Sequence, residues 1–299
     1  MSTKILILIG GPVRKLDTFI EPSRQMGLDV TLASFSDTEY ISTEGSGKLQ
    51  ITIKDKDLAE FDLIYIRMVG IRMEDASLVT NYAREKGIKI VDRVYRQALF
   101  IPSTISKAME MKKLINAGIP LPQTYFASLS LIRERAPKLF SFPFVIKSTS
   151  GKKARDSWLV ESKEVLESLV TELREREKQG IRFFAQKLIK ASQRIRVLVV
   201  GGKVIGAISR PTKWRKHFTS NNKEGKKEAL IPVPEKYSEL ALNCANAVNL
   251  DIAGVDILEE NDSGKLFVIE ANAAPSWNLI KKDCGVEVEK EILNFLASL

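Results

Sequence analysis

The sequence holds one histidine, His217, and two well-separated cysteines, Cys244 and Cys284. It contains no Cys/His spacing of a metal finger, so soft-metal chemistry is excluded, and both thiols read as ordinary buried residues in a reducing compartment. Long apolar runs are missing too. Ile5-Leu6-Ile7-Leu8-Ile9 meets Gly10-Gly11-Pro12 after five residues, too few for a membrane span or a signal segment, and reads as a buried strand. The Gly10-Gly11-Pro12 turn lacks the spacing of a dinucleotide fingerprint and reads as structural. No internal repeat or low-complexity tract is present. Acidic residues are the scarcer sign of charge, 37 Asp and Glu against 46 Lys and Arg, for a net +9. That balance favours an acidic partner: a nucleotide, an acidic peptide or nucleic acid. The expected compartment is the cytoplasm.

A chain of 299 residues, 44% hydrophobic and 28% charged, is globular and long enough for two or three subdomains. Up to about residue 100, short apolar runs alternate with helical patterns, an α/β layout. Ile5 to Ile9, Asp29 to Ala33, Asp62 to Arg67 and Ile88 to Val91 read as strands of a small parallel sheet. Thr18 to Met26 and Asp75 to Lys86 read as its helices. A second unit starts with a helix from Lys107 to Ala117, closed by Gly118 and then Pro120. Ser162 to Gln179 is a helix with Val165, Leu166, Leu169, Val170 and Leu173 on its apolar face, stopped by Gly180. Arg182 to Ile189 is a strand, and Ile195 to Val200 pairs with Lys203 to Arg210 through the turn Gly201-Gly202. A helix from Glu235 to Val248 and a terminal helix ending at Leu299 complete the outline.

The most specific pattern lies near the C-terminal end. Gly254-Val255-Asp256-Ile257-Leu258 and Phe267-Val268-Ile269-Glu270-Ala271-Asn272 flank the turn-forming Asn261-Asp262-Ser263-Gly264, which predicts an antiparallel hairpin. Glu270 and Asn272 point the same way, and pairing centred near Ser263 puts Asp256 opposite Glu270. Two carboxylates and an amide oxygen then converge where a buried strand pair would normally carry Val or Ile. A hard cation would neutralise them, and Mg²⁺ suits a site that takes only one or two carboxylates from the protein. A second informative position is Lys147. It ends the apolar run Phe142-Pro143-Phe144-Val145-Ile146 just before the polar loop from Ser148 to Lys153, where the sheet can aim its ammonium group at a phosphate.

In order along the chain, these segments resemble the ATP-grasp superfamily and, within it, the RimK-like carboxylate-amine ligases, over roughly the last two-thirds of the sequence. Lys107, in SKAMEMKKLINAGIPLPQT, resembles the first nucleotide lysine and Lys147 the second. Gln186-Lys187-Leu188-Ile189 is similar to the adenine hinge. Ile195-Arg196-Val197-Leu198-Val199-Val200-Gly201-Gly202 resembles the family's D-I-R-V-L-V-V-G strand. Arg210 falls where a catalytic arginine faces the triphosphate, Asn221 matches the asparagine of the following loop, and Asp256, Glu270 and Asn272 match the magnesium triad. Taken alone, Lys107 reads as a solvated helix-start lysine and Arg196 as a strand-edge charge; their order among the other motifs singles them out.

The resemblance implies an ATP-grasp fold, with a Rossmann-like pre-ATP-grasp domain over 1–100 and two α+β subdomains, 101–184 and 185–299, clasping ATP. It implies amide formation through an acyl phosphate, with ATP and Mg²⁺ (or Mn²⁺) as cofactors, Arg196, Arg210 and Asn221 in catalysis, and Lys107, Lys147, Gly151 and the hinge holding the nucleotide. A carboxylate and an amine are the implied substrates, and the basic balance favours an acidic peptide, protein tail or glutamate-like acid. Arg67, Arg72 and Arg93, near the ends of N-terminal strands, are candidates for holding a substrate carboxylate. The chain also departs from the family pattern. The loop after Lys147, STSGKKARDSW, has Gly151 as its one glycine; Lys187 replaces a common acidic residue; Arg194 stands where an aspartate precedes Ile-Arg. Two alternatives stay open: a non-catalytic nucleotide-binding protein of the same fold, and a nucleic-acid binder using the basic stretch Arg210 to Lys227, where Trp214, His217 and Phe218 are interleaved. Trp158 and Trp277 read as packing residues. The sequence leaves self-association open.

Overall fold

Apolar residues facing both ways make Lys4–Ile9 an interior strand. Leu6 and Leu8 pack into one core, Ile5, Ile7 and Ile9 into another, as expected of a parallel strand covered on both faces. The computed structural model describes residues 3–42, 49–96, 98, 100–102, 106–149, 156–212, 215–216 and 227–299. The first sheet has the order Asp29–Ser34, Lys4–Ile9, Leu63–Met68, Lys89–Ile90, all parallel. The helix Met73–Glu85 covers one face through Ala76, Val79 and Ala83. Where one helix was expected over 18–26, a 3₁₀ segment, Val13–Phe19, leads into a short α-helix, Ile20–Gln25. Gly10 is structural as expected: a Cβ there would lie 1.7 Å from the Val69 carbonyl oxygen. A three-stranded antiparallel sheet, Thr38–Ser42, Leu49–Ile53 and Lys56–Asp57, has no counterpart in the sequence reading.

The middle sheet runs Arg215–Lys216, Ser157–Val160, Phe144–Ser148, Phe183–Lys187, Thr124–Ala127. Two helices seal one of its faces. Lys163–Lys178 is capped by Ser162, whose hydroxyl accepts from the Val165 N–H, and presents Leu166, Leu169, Val170 and Leu173 to Phe144, Ile146, Trp158 and Phe183. Leu129–Phe140, capped by Ser128, was not legible because Pro137 interrupts its pattern. Period-two alternation turns Lys147 and Gln186 to the opposite face, away from these two helices.

The C-terminal sheet is antiparallel in the order Glu228–Leu230, Lys203–Pro211, Gln193–Val200, Ile252–Glu259, Leu266–Asn272. One face packs on the helix Glu235–Ala247 through Val197, Ala207, Val255 and Ile257. The other face divides in two. Leu198, Val200, Ile208 and Ile252 share a core with Ile5, Ile7 and the helix Val288–Ala297, so the first and last sheets are packed together. Beyond that cover, the same face carries Arg194, Arg196, Arg210, Asp256, Glu270 and Asn272. The terminal helix of the sequence reading is two helices, Asn278–Cys284 and Val288–Ala297, separated by Gly285 in the left-handed region. No helix among the described residues is long and apolar enough to cross a membrane.

Candidate active site

The expected hairpin forms with the expected pairing at its functional end: Asp256 is opposite Glu270 and Gly254 opposite Asn272. Toward the turn the register shifts by one residue through a β-bulge, pairing Ile257 with Val268. The bulge has a packing reason. Val268 and Ala271, three apart, both enter the core, which strict alternation forbids; the extra residue permits it and leaves Glu270 and Asn272 on the site face. Gly254 is needed for close approach, because a Cβ there would lie 2.6 Å from the Pro275 Cβ. Gly254→Ala is expected to push the Ala273–Pro275 segment outward and cost about 1–3 kcal/mol, the scale of overpacking. Thermal unfolding beside metal titration checks both consequences.

Asp256 is 2% exposed and receives two hydrogen bonds from the cross-strand Arg196, Nε to Oδ1 and Nη2 to Oδ2, each 2.7 Å. Arg194 Nη1 lies 3.7 Å from Oδ2. Burial alone would raise this carboxyl, but the bonds from Arg196 and the charges of Arg194 and Arg210 outweigh it and hold it below the usual carboxylate range. Arg194 is paired directly with Arg210 on the next strand, and the Nε groups of both are buried without a hydrogen-bond partner among the described residues. Burial, then the neighbouring guanidinium groups, pushes Arg210 down.

Lys107 and Lys147 approach from the other side. Lys107 Nζ is 3.2 Å from Glu270 Oε2 and 3.4 Å from Glu110 Oε2. Burial opposes its charge, but these two carboxylates outweigh it and raise its pKa. Lys147, 8% exposed, donates to Gln186 Oε1 at 2.7 Å, and Gln186 Nε2 donates to Thr124 Oγ1 at 2.9 Å. Desolvation pulls Lys147 down to about 8, while Glu270 and Asp256 partly support its charge.

In the hinge, Lys187 is exposed, Leu188 half-buried and Ile189 buried, and the Lys187 N–H donates to the Gln123 carbonyl. Gly151 and Asn221 lie outside the described residues, as do Trp214, His217 and Phe218. The three arginines that are candidates for holding a substrate carboxylate each have a partner within the fold. Arg67 donates to the Pro275 carbonyl at 2.6 Å and stacks 3.9 Å over the Trp277 ring. Arg72 bonds Ser36 and Arg93 is paired with Asp251. Arg67 thus fixes the segment that follows Asn272. Sequence reasoning missed Glu110, whose role depends on a backbone amide far along the chain.

No group of three or more His, Cys, Asp or Glu is assembled as a metal site among the described residues; an asparagine completes the set with Asp256 and Glu270. The donors are all hard oxygens, and cations already balance both carboxylates, Arg196 on Asp256 and Lys107 on Glu270. This donor chemistry fits Mg²⁺.

A model of the RimK-like ATP-grasp domain matches residues 104–296, well over half of the chain. The protein belongs to that family. It is 28% identical to N-acetylaspartylglutamate synthase A of Mus musculus over 277 residues, covering 89% of this chain and 70% of the relative. It is 26% identical to beta-citrylglutamate synthase B of Danio rerio over 272 residues, 87% of this chain and 64% of the relative. The chain therefore spans about two thirds the length of these relatives. Against the ATP-grasp ligase PsnB in complex with a minimal precursor, the TM-score is 0.73 at 18% identity, covering 100% of this chain and 99% of that one. The fold is that of the ATP-grasp ligases.

Proposed function

We propose that the protein is an ATP-dependent carboxylate-amine ligase. The observation that carries this reading is the convergence of Asp256 and Glu270, paired across two strands, with Lys107, Lys147, Arg194, Arg196 and Arg210. Five cations meeting carboxylates over one face of the C-terminal sheet suit a polyphosphate, and phosphoryl transfer mainly requires charge stabilisation and alignment. In the reaction, the terminal phosphoryl group of ATP passes to a substrate carboxylate, and an amine displaces phosphate from the acyl phosphate to form the amide. When bound, Mg²⁺ supplies charge neutralisation at the phosphate oxygens. Asp256, Glu270 and Asn272 would hold it. Lys147 and Lys107 bind phosphate oxygens, Gln186 orients Lys147, the hinge through Ile189 offers main-chain groups to the base, and Arg196 fixes the carboxylate of Asp256. Arg210, with Asn221, would face the transferring group. The attacking nitrogen comes from the second substrate, so no protein nucleophile is needed and the single histidine is no obstacle.

The division 1–100, 101–184 and 185–299 is part of this reading: the first sheet braces the last, and the middle sheet supplies Lys147 and Gln186. The free Cys244 and Cys284 suit a reducing, cytoplasmic setting. For the carboxylate substrate we favour an acidic peptide or amino acid, because the like-charged Arg194–Arg210 pair has buried Nε donors without a partner among the described residues, which a substrate oxyanion would satisfy. Mn²⁺ should replace Mg²⁺ at an all-oxygen site. Calorimetric titration with ATP, with and without Mg²⁺, tests the nucleotide site; ADP release in a panel of amino acids and acidic peptides tests the ligase. Magnesium-dependent binding without ADP release from any acid would favour the non-catalytic alternative. Salt-sensitive oligonucleotide binding that survives Asp256→Asn would favour the nucleic-acid reading.

The position of Lys147 adds a pH dependence. Its group near 8 is charged below that value and neutral above it, so ATP affinity is expected to be flat from pH 6.5 to 7.5 and to weaken as pH rises through 8 to 9. A profile flat to pH 9.5 would show instead that the Lys147 ammonium stays charged in the free protein throughout that range.

A further inference from the structure

Glu110 lies in the segment that carries Lys107 but has no role in the resemblance, yet it is 3% exposed and bridges two parts of the site. On the helix Lys107–Asn116, Lys107, Glu110 and Leu114 fall on one face by their spacing. Leu114 enters the core of the C-terminal sheet. Glu110 Oε1 accepts from the Ala271 N–H at 2.7 Å, the amide between Glu270 and Asn272, while Oε2 lies 3.4 Å from Lys107 Nζ. The same ammonium lies 3.2 Å from Glu270. One cation therefore stands between two carboxylates of different character: the Glu110 side chain is 4% exposed and that of Glu270 33%.

A sealed carboxylate that loses its cation keeps an uncompensated buried charge, whereas a solvent-reachable one can exchange its partner at little cost. Lys107 is thus bound more durably to Glu110 than to Glu270.

We propose that Glu110 is a positioning residue that retains Lys107 when a divalent cation takes over Glu270, and that its bond to Ala271 ties this exchange to the strand carrying Glu270 and Asn272. The proposal rests on the reading of Glu270 as a metal ligand. Without the Glu110 charge, Lys107 would fall back on Glu270 alone and compete with the incoming metal. With it, Lys107 stays paired and keeps its remaining donors for a phosphate oxygen.

The test is calorimetric binding of ADP at a series of MgCl₂ concentrations, beside thermal unfolding. In Glu110→Gln the amide oxygen still accepts from Ala271 but the charge is gone. The midpoint of unfolding is expected within a few degrees of wild type and the Mg²⁺ concentration for half-maximal ADP binding to rise about tenfold. In a Lys107→Met background, Glu110→Gln should produce no further rise, because the competitor is absent. Glu110→Asp keeps the charge while drawing the carboxylate away from Ala271, so it should lower the unfolding midpoint and leave the magnesium requirement within about threefold. It decides the matter should Glu110→Gln not fold, since a tenfold rise in Glu110→Asp would overturn the proposal. An unchanged magnesium requirement in folded Glu110→Gln makes Glu110 a structural strut only and also overturns it. If the wild type binds ADP with no magnesium dependence, the reading of Glu270 fails and this inference falls with it.

Discussion

Asp256→Asn is expected to lower magnesium-dependent ADP release at least about 100-fold, since loss of outer-shell partners alone costs a metal site 10–100-fold. The fold should suffer as well. Asparagine matches the shape of aspartate but not its charge, so Arg196, Arg194 and Arg210 would share one sheet face with no carboxylate opposite. Breaking a buried pair by removing one partner typically costs about 3–5 kcal/mol. The two losses can be separated with Glu270→Gln, because the Glu270 side chain is a third exposed and its partner Lys107 keeps Glu110. That variant should lose magnesium-dependent turnover with an almost unchanged unfolding midpoint. If both variants turn over ATP normally, the hairpin is not a metal site and the ligase reading is wrong.

Lys147→Met is expected to separate binding from stability in the opposite way. The ammonium is buried in the sheet and already displaced toward neutrality, to about 8, so the fold gains little from its charge. Methionine fills similar volume. The loss to the fold includes the bond to Gln186 Oε1, on the order of 1 kcal/mol. A charge-assisted bond to phosphate is worth about 1.5–3 kcal/mol, so ATP affinity should fall roughly 10- to 100-fold, and its decline above pH 8 should vanish. Calorimetry at pH 7 and pH 9 reads both. ATP affinity equal to wild type at pH 7 would place the phosphates away from this strand.

Several functional positions were legible because strand periodicity is a local property. Asp256 opposite Glu270 followed from a turn and an even spacing, and Lys147 stood out because an apolar run ended on a charge. The bulge near Ile269 was not legible, since it answers to Val268 and Ala271 packing on a helix from elsewhere in the chain. Arg67, Arg72 and Arg93 are candidates for a substrate carboxylate from their places near strand ends. Each also bonds within the fold, to Pro275, Ser36 and Asp251 respectively, partners that only the packed sheets bring near. The helix Leu129–Phe140 and the sheet over Thr38–Asp57 escaped for a local reason: a proline in one, strands of only two to five residues in the other.

The sequence by itself determined the chemical character of the site, hard oxygens and phosphate-seeking cations in a chain nearly devoid of histidine and thiol, because residue type and period-two spacing need no long-range information. It also determined the order of the motifs and hence the family. The tertiary structure decided which cation meets which carboxylate: Arg196 with Asp256 across a strand pair, Lys107 between Glu110 and Glu270, Arg194 beside Arg210. Those pairings depend on distances of a few ångströms between segments far apart in the chain, set by how one sheet face is apolar where another unit covers it and charged where it is left open.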